Sequence, residues 1–309
     1  MRETIESATV LLVTGKGGVG KSTVGAALAI AAAALGRRTV LVELSPSPIA
    51  ESLSASVAAQ EPVLGTSSER LEIIRLKPEE VLVQYLEDHG MAVLGRRLIS
   101  TGVVAVIATA IPGIRELLVL AKIKQMEKSG NYDTIILDAP ASGHLVTFLS
   151  SPKGLAEISS VGLLRSQAED VSALLRDPKR CKVIMVTLAE ETPVSETIET
   201  AEKISAINVV AIGNLIVNGL IRPPALSPDS LELIASGDLK GDEIDAFTYI
   251  SARASMQARS VATLHHALGE LQILELPYLI STLISTNEAA TLARHLIDPS
   301  IRTGLPHVQ

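Results

Sequence analysis

The segment Gly15-Lys16-Gly17-Gly18-Val19-Gly20-Lys21-Ser22-Thr23 limits the possible folds of this chain more than any other feature, because it fits G-x-x-x-x-G-K-[ST]. It follows Thr9–Thr14 (TVLLVT), an apolar, β-branched run that reads as a buried parallel strand. It opens the Ala-rich stretch Ser22–Leu35, which reads as a helix stopped by Gly36. Thr39–Val42 then reads as a second buried strand, completing a βαβ unit. Glycines here let backbone N–H groups turn inward around phosphate oxygens, and the helix start adds its positive end. All nine positions from Gly15 to Thr23 are therefore candidate nucleotide contacts. Lys21 is expected on the β- and γ-phosphates and Ser22 on Mg²⁺.

The same rhythm continues through the chain. Short apolar runs at Leu71–Leu76, Thr134–Leu137, Lys182–Thr187, Val209–Val217 and Ile273–Leu276 read as strands with helical segments between most of them. The expected fold is α/β, a doubly wound and mostly parallel sheet of the P-loop NTPase type. Two strand-poor stretches, about 78–130 and about 223–271, read as helical elaborations forming an α-helical subdomain. The first restarts at Pro112–Gly113 and the second opens at Pro223–Pro224. Residues 1–309 are expected to form one domain, with Ser45–Ser68 a switch loop followed by a short helix. No internal repeat is visible.

Composition excludes several partners. Hydrophobic residues make up 47% of the 309 and charged residues 20%, a globular balance. With aromatics at 2% and a net charge of −7, the base-stacking and cationic surfaces that nucleic acids need are missing. The single Cys181 rules out an internal disulfide or a CxxC site, which fits a cytoplasmic protein. The longest apolar stretch, Leu98–Ile111, is shorter than the roughly 20 residues of a membrane span, and no signal peptide is seen, so no integral membrane protein is expected. That stretch either covers a hydrophobic client or packs in a core.

Lys16 resembles the second lysine of the deviant Walker A loop. In that class it crosses a dimer interface to the partner's nucleotide and neutralises charge during phosphoryl transfer. The run Asp133-Thr134-Ile135-Ile136-Leu137-Asp138-Ala139-Pro140-Ala141-Ser142-Gly143-His144 is a strand ending in a carboxylate. Asp138 is placed to accept from a Mg²⁺-bound water, and Pro140–Gly143 to report on the γ-phosphate.

With both motifs in view, the chain resembles the ArsA/GET family of arsenite-pump and tail-anchored-protein-targeting ATPases, whose second motif is close to D-x-A-P-T-G-H. Ile111–Leu117 resembles the family's P-G-x-x-E-L helix start, and Val186–Val194 with Glu196-Thr197 its V-T-x-P-E segment. The resemblance spans about residues 8–298. It implies a dimer, with itself or with a paralogous ATPase, that binds ATP and releases ADP with Mg²⁺. It also implies a hydrophobic or membrane-protein client, adenine contacts at Asn218 and Pro277, and a switch role for His144.

The sequence departs from the family at two places. Ser45 stands where the family's water-orienting Asp belongs, and Ser is a poor base. Glu43, two residues earlier and on the same strand face, is either a substitute catalytic carboxylate or a structural strand-end group. The chain also lacks the family's zinc CxxC and metalloid-binding cysteines, and Met91 and Met126 are the only methionines in the first helical stretch. Three functions follow: a dimeric ATPase working a helical client surface through Lys16, Lys21, Asp138 and Glu43; an ATP-binding, weakly or non-hydrolysing subunit paired with a paralogue; or a MinD/ParA-like positioning ATPase. No C-terminal amphipathic helix supports the last. Cys181 reads as a packing or surface residue, and Arg176–Lys182 as a solvated edge.

Overall fold

The computed structural model describes residues 1–65, 67–88, 113–158, 162–221, 236, 241–298 and 300. In chain order the elements are α1 (Arg2–Ser7), β1 (Val10–Gly15), α2 (Lys21–Ala34), β2 (Thr39–Glu43), α3 (Pro48–Ala58), β3 (Leu71–Arg75) and α4 (Pro78–Asp88). There follow α5 (Ile114–Ser129), β4 (Thr134–Asp138), α6 (Ser142–Ile158), α7 (Leu163–Arg176), β5 (Cys181–Leu188) and α8 (Glu191–Ile207). The last are β6 (Ala211–Leu220), α9 (Gly241–Leu268), β7 (Gln272–Pro277) and α10 (Thr286–Ile297). This is an α/β fold on a parallel sheet with helical insertions.

Seven strands among the described residues pair in parallel in the order β3-β2-β4-β1-β5-β6-β7. Parallel strands covered by helices on both faces bury every side chain, and all positions of β1 and β2 are buried. Leu12, Val42, Leu137 and Val217 pack into one core with α5, α6, α7 and α9, while Leu11, Val13, Ile136 and Ile216 pack into another with α2 and α10. Helix α2 is buried from Val24 through Ala33, and its alanines let it lie close to the sheet and to Ala289, Leu292 and Ala293 of α10.

β1 lies at the centre, and the chain leaves it first towards β2 and later towards β5. Crossovers on the two sides of β1 thus diverge, which opens a crevice at the carboxyl ends of the strands. The glycine loop occupies that crevice.

The strand readings from sequence hold with ends moved by a few residues. β6 starts at Ala211 because Asn208, at φ +47°, caps α8 in the left-handed conformation and turns the chain through Val209 and Val210. Helix α1 had no sequence signal, since six residues are too few for a periodicity. It is held by the buried Ile5 and by Thr4 Oγ1 donating to Asn214 Oδ1 of β6 at 2.5 Å. Arg180 is no solvated edge: its guanidinium forks onto Glu127 of α5 at 2.8 and 2.9 Å. Leu98–Ile111, Met91, Pro112, Pro223–Pro224 and the tail from residue 301 lie outside the described residues. Among the described residues no helix is long and apolar enough to cross a membrane.

Candidate nucleotide site

Gly15 ends β1 against β5, where a Cβ would collide with the Val186 carbonyl oxygen, so only glycine fits. Gly18 and Gly20 take φ of +87° and +89°, the left-handed region that disfavours side chains. Around Gly17 and Gly18 a Cβ would meet nothing within 4 Å, so the outer rim of the loop is open. Gly20 is the N-cap of α2 and offers no side chain to the first turn. The amides of Lys21, Ser22 and Thr23 therefore have no intrahelical acceptor and remain for an anion.

Asp138 reaches this loop because β4 pairs with β1, with Val13 opposite Asp138, and because Ala139 N donates to Val13 O at 2.9 Å. Thr14 Oγ1 donates to Pro140 O at 2.8 Å and ties the two motifs together beyond the last rung. Ser22 Oγ donates to Asp138 Oδ2 at 2.6 Å. Burial raises the Asp138 carboxyl above its ordinary value, opposed by the Ser22 hydrogen bond and the nearby Lys21 ammonium.

Glu43 lies beside Asp138 in the β2–β4 register and is 3% exposed. Its carboxyl is raised chiefly by burial and also by Asp138 and Glu51, against the Ser47 hydrogen bond and Arg75. Ser47 Oγ donates to Glu43 Oε1 at 2.5 Å and accepts from Ala50 N at 3.3 Å, so one hydroxyl caps α3 and ties down the strand-end carboxylate. Arg75 Nη2 stands 3.8 Å from Glu43 Oε2. Ser45 is exposed in the bend between β2 and α3.

Asn218 lies at the end of β6 with Nδ2 donating to Val19 O at 3.0 Å, and a Cβ on Gly20 would strike it. Its amide thus props the glycine loop, a contact without a sequence signal. Pro277 stands opposite Leu220 in the β6–β7 register, two residues beyond Asn218, and with Leu220, Glu275, Ala254 and Gln257 it lines a cavity of about 460 Å³ beside α9. His144 is exposed at the start of α6, and Cys181 is buried, its thiol pushed up by desolvation.

Lys16 Nζ bonds Glu196 Oε1 of α8 at 2.6 Å within the same chain. Sequence reading singled out Lys16 but missed this partner, 180 residues away. It also passed over Ser47 and Thr14, whose roles need the packed crevice to be visible.

The donor set suits Mg²⁺. Ser22 and Asp138 supply adjacent hard oxygens 2.6 Å apart. A small divalent ion that keeps most of its water and takes phosphate oxygens matches two protein donors.

Comparison with known proteins points the same way. The family model described as anion-transporting ATPase matches residues 8–165. The chain is similar to ATPase BagA of Mycobacterium tuberculosis (strain ATCC 25618 / H37Rv), 33% identical over 246 residues, covering 76% of this chain and 72% of that protein. It is also similar to ATPase GET3 of Pyricularia oryzae, 23% identical over 330 residues (94% of this chain and 91% of that one). ATPase get3 of Schizosaccharomyces japonicus is 22% identical over 324 residues, with 94% and 93% covered.

Proposed function

The chain belongs to the anion-transporting ATPase family, and from that premise we propose that it is a dimeric, Mg²⁺-dependent ATPase whose nucleotide state opens and closes a helical partner-binding surface. ATP binding and ATPase activity characterise the family. The observation that carries the Mg²⁺-dependent nucleotide site is the meeting of Ser22 with Asp138 beneath an uncapped helix start lined by left-handed glycines; the dimer and the partner surface rest on the family resemblance.

In this reading the amides of residues 17–23 hold the phosphates, and Lys21 balances charge on their outer oxygens. Bound Mg²⁺ would supply Lewis-acid neutralisation of the phosphate charge. Ser22 and Asp138 are the residues that would hold that ion. Asn218 keeps the loop in shape and leaves its Oδ1 for a base amino group. Lys16 serves the nucleotide of a second copy. The loops after β2 and β4 would rearrange with the γ-phosphate and carry the change to helices α3 and α6. The client is a hydrophobic protein segment, as the family resemblance implies.

One observation favours a second reading. Ser45 offers no carboxylate and Glu43 is already engaged by Ser47, so the second reading is a chain that binds ATP and hydrolyses it only beside a paralogue. Purified protein separates the two. Steady Mg²⁺-dependent turnover, lost in Lys16→Ala while ATP binding persists, supports the first. Tight binding without turnover until a paralogue is added supports the second, and no ATP binding refutes both.

A further inference from the structure

We propose that Glu196 is a cis latch for Lys16, a positioning residue that parks the loop lysine inside its own chain until a second copy docks. The inference rests on the reading of Lys16 given above and adds a residue which that reading does not use.

Lys16 carries one compact ammonium, and its 2.6 Å bond to Glu196 Oε1 is a charge-assisted contact. The lysine is thereby drawn over β5 towards α8. It cannot hold this geometry and also extend to a phosphate on another protomer. Glu196 is well placed to act as such a stop. It lies in the second turn of α8, and its carbonyl accepts from Thr200 Oγ1 at 2.6 Å. The residue before α8, Glu190, is paired with Arg253 of α9 at 3.2 Å. The helix that carries Glu196 thus connects the glycine loop to the long helix α9.

Exposure suits a reversible device. Lys16 and Glu196 are 35% and 41% exposed, so the pair is partly screened and can be exchanged for a stronger partner. A buried pair would resist release.

Two measurements test the latch, one of them without nucleotide. Acylation of Lys16 in nucleotide-free protein, followed by peptide mass spectrometry, is expected to be faster in Glu196→Gln. Sedimentation velocity with Mg²⁺ and a non-hydrolysable ATP analogue is expected to show Glu196→Gln dimerising at a protein concentration lower by up to about thirty-fold, the ceiling for two exposed pairs, one opened in each protomer. Lys16→Ala should weaken the dimer, and Lys16→Ala/Glu196→Gln should match Lys16→Ala alone. An unchanged acylation rate and dimer midpoint in Glu196→Gln overturn the latch, as does a weaker dimer. If Lys16→Ala weakens the dimer while Glu196→Gln has no effect, the latch alone falls. If Lys16→Ala leaves the dimer unchanged, the reading of Lys16 falls too.

Discussion

Ser22 Oγ and Asp138 Oδ2 are 2.6 Å apart although 116 residues separate them, because β1 and β4 run side by side and end together. Two motifs far apart in the sequence become one acid–hydroxyl pair at the mouth of the sheet.

Asp138→Asn keeps the side chain's size and removes its charge. The Mg²⁺-dependent part of ATP-analogue affinity should fall about 10- to 100-fold, as for other groups that steady a metal's surroundings. Binding in EDTA should change little. Titration of a fluorescent ATP analogue with and without Mg²⁺ checks this.

Glu43→Gln tests the buried carboxylate. Its folded pKa lies above the ordinary 4.5, mainly through burial, so the folded chain holds that proton more tightly than the unfolded one. The stabilisation is complete below pH 4.5 and is lost as pH rises through the higher folded value. Urea midpoints should thus show Glu43→Gln losing this pH slope, with neutral-pH stability equal to or above the parent's.

Asp133→Asn has the opposite sign. Hydrogen bonds from the Arg38 side chain and backbone hold Asp133 down to about 2. Its contribution is present above the ordinary 3.8 and lost as pH falls through about 2. The variant should be less stable at neutral pH, and the gap should close in acid.

Gly20→Ala should cost about 1–3 kcal/mol, since a residue held at positive φ would also press on the Asn218 amide. Gly17→Ala, with open space at its Cβ, should stay within about 0.5 kcal/mol. Urea unfolding of the pair separates a conformational requirement from mere glycine richness.

Cys181 should resist thiol reagents in the native protein and react on unfolding, because it is buried and burial pushes its thiol up. Labelling across a urea series checks this.

The α/β class, the strands and the glycine loop were legible in the sequence because each rests on local rules. Buried parallel strands must be apolar throughout, and a loop of left-handed turns must be glycine. Asp138 was legible for the same reason, as a carboxylate at the end of an apolar run. Pairings between distant segments follow no such rule. Nothing in the order of residues says that α8 lies over β5 and brings Glu196 to Lys16, that Asn218 props Val19, or that Ser47 closes on Glu43. Sequence determined where the glycine loop and the strand-end carboxylate stand. Tertiary structure decided which partners restrain them, because strand order and helix packing, set by the whole core, choose which side chains meet.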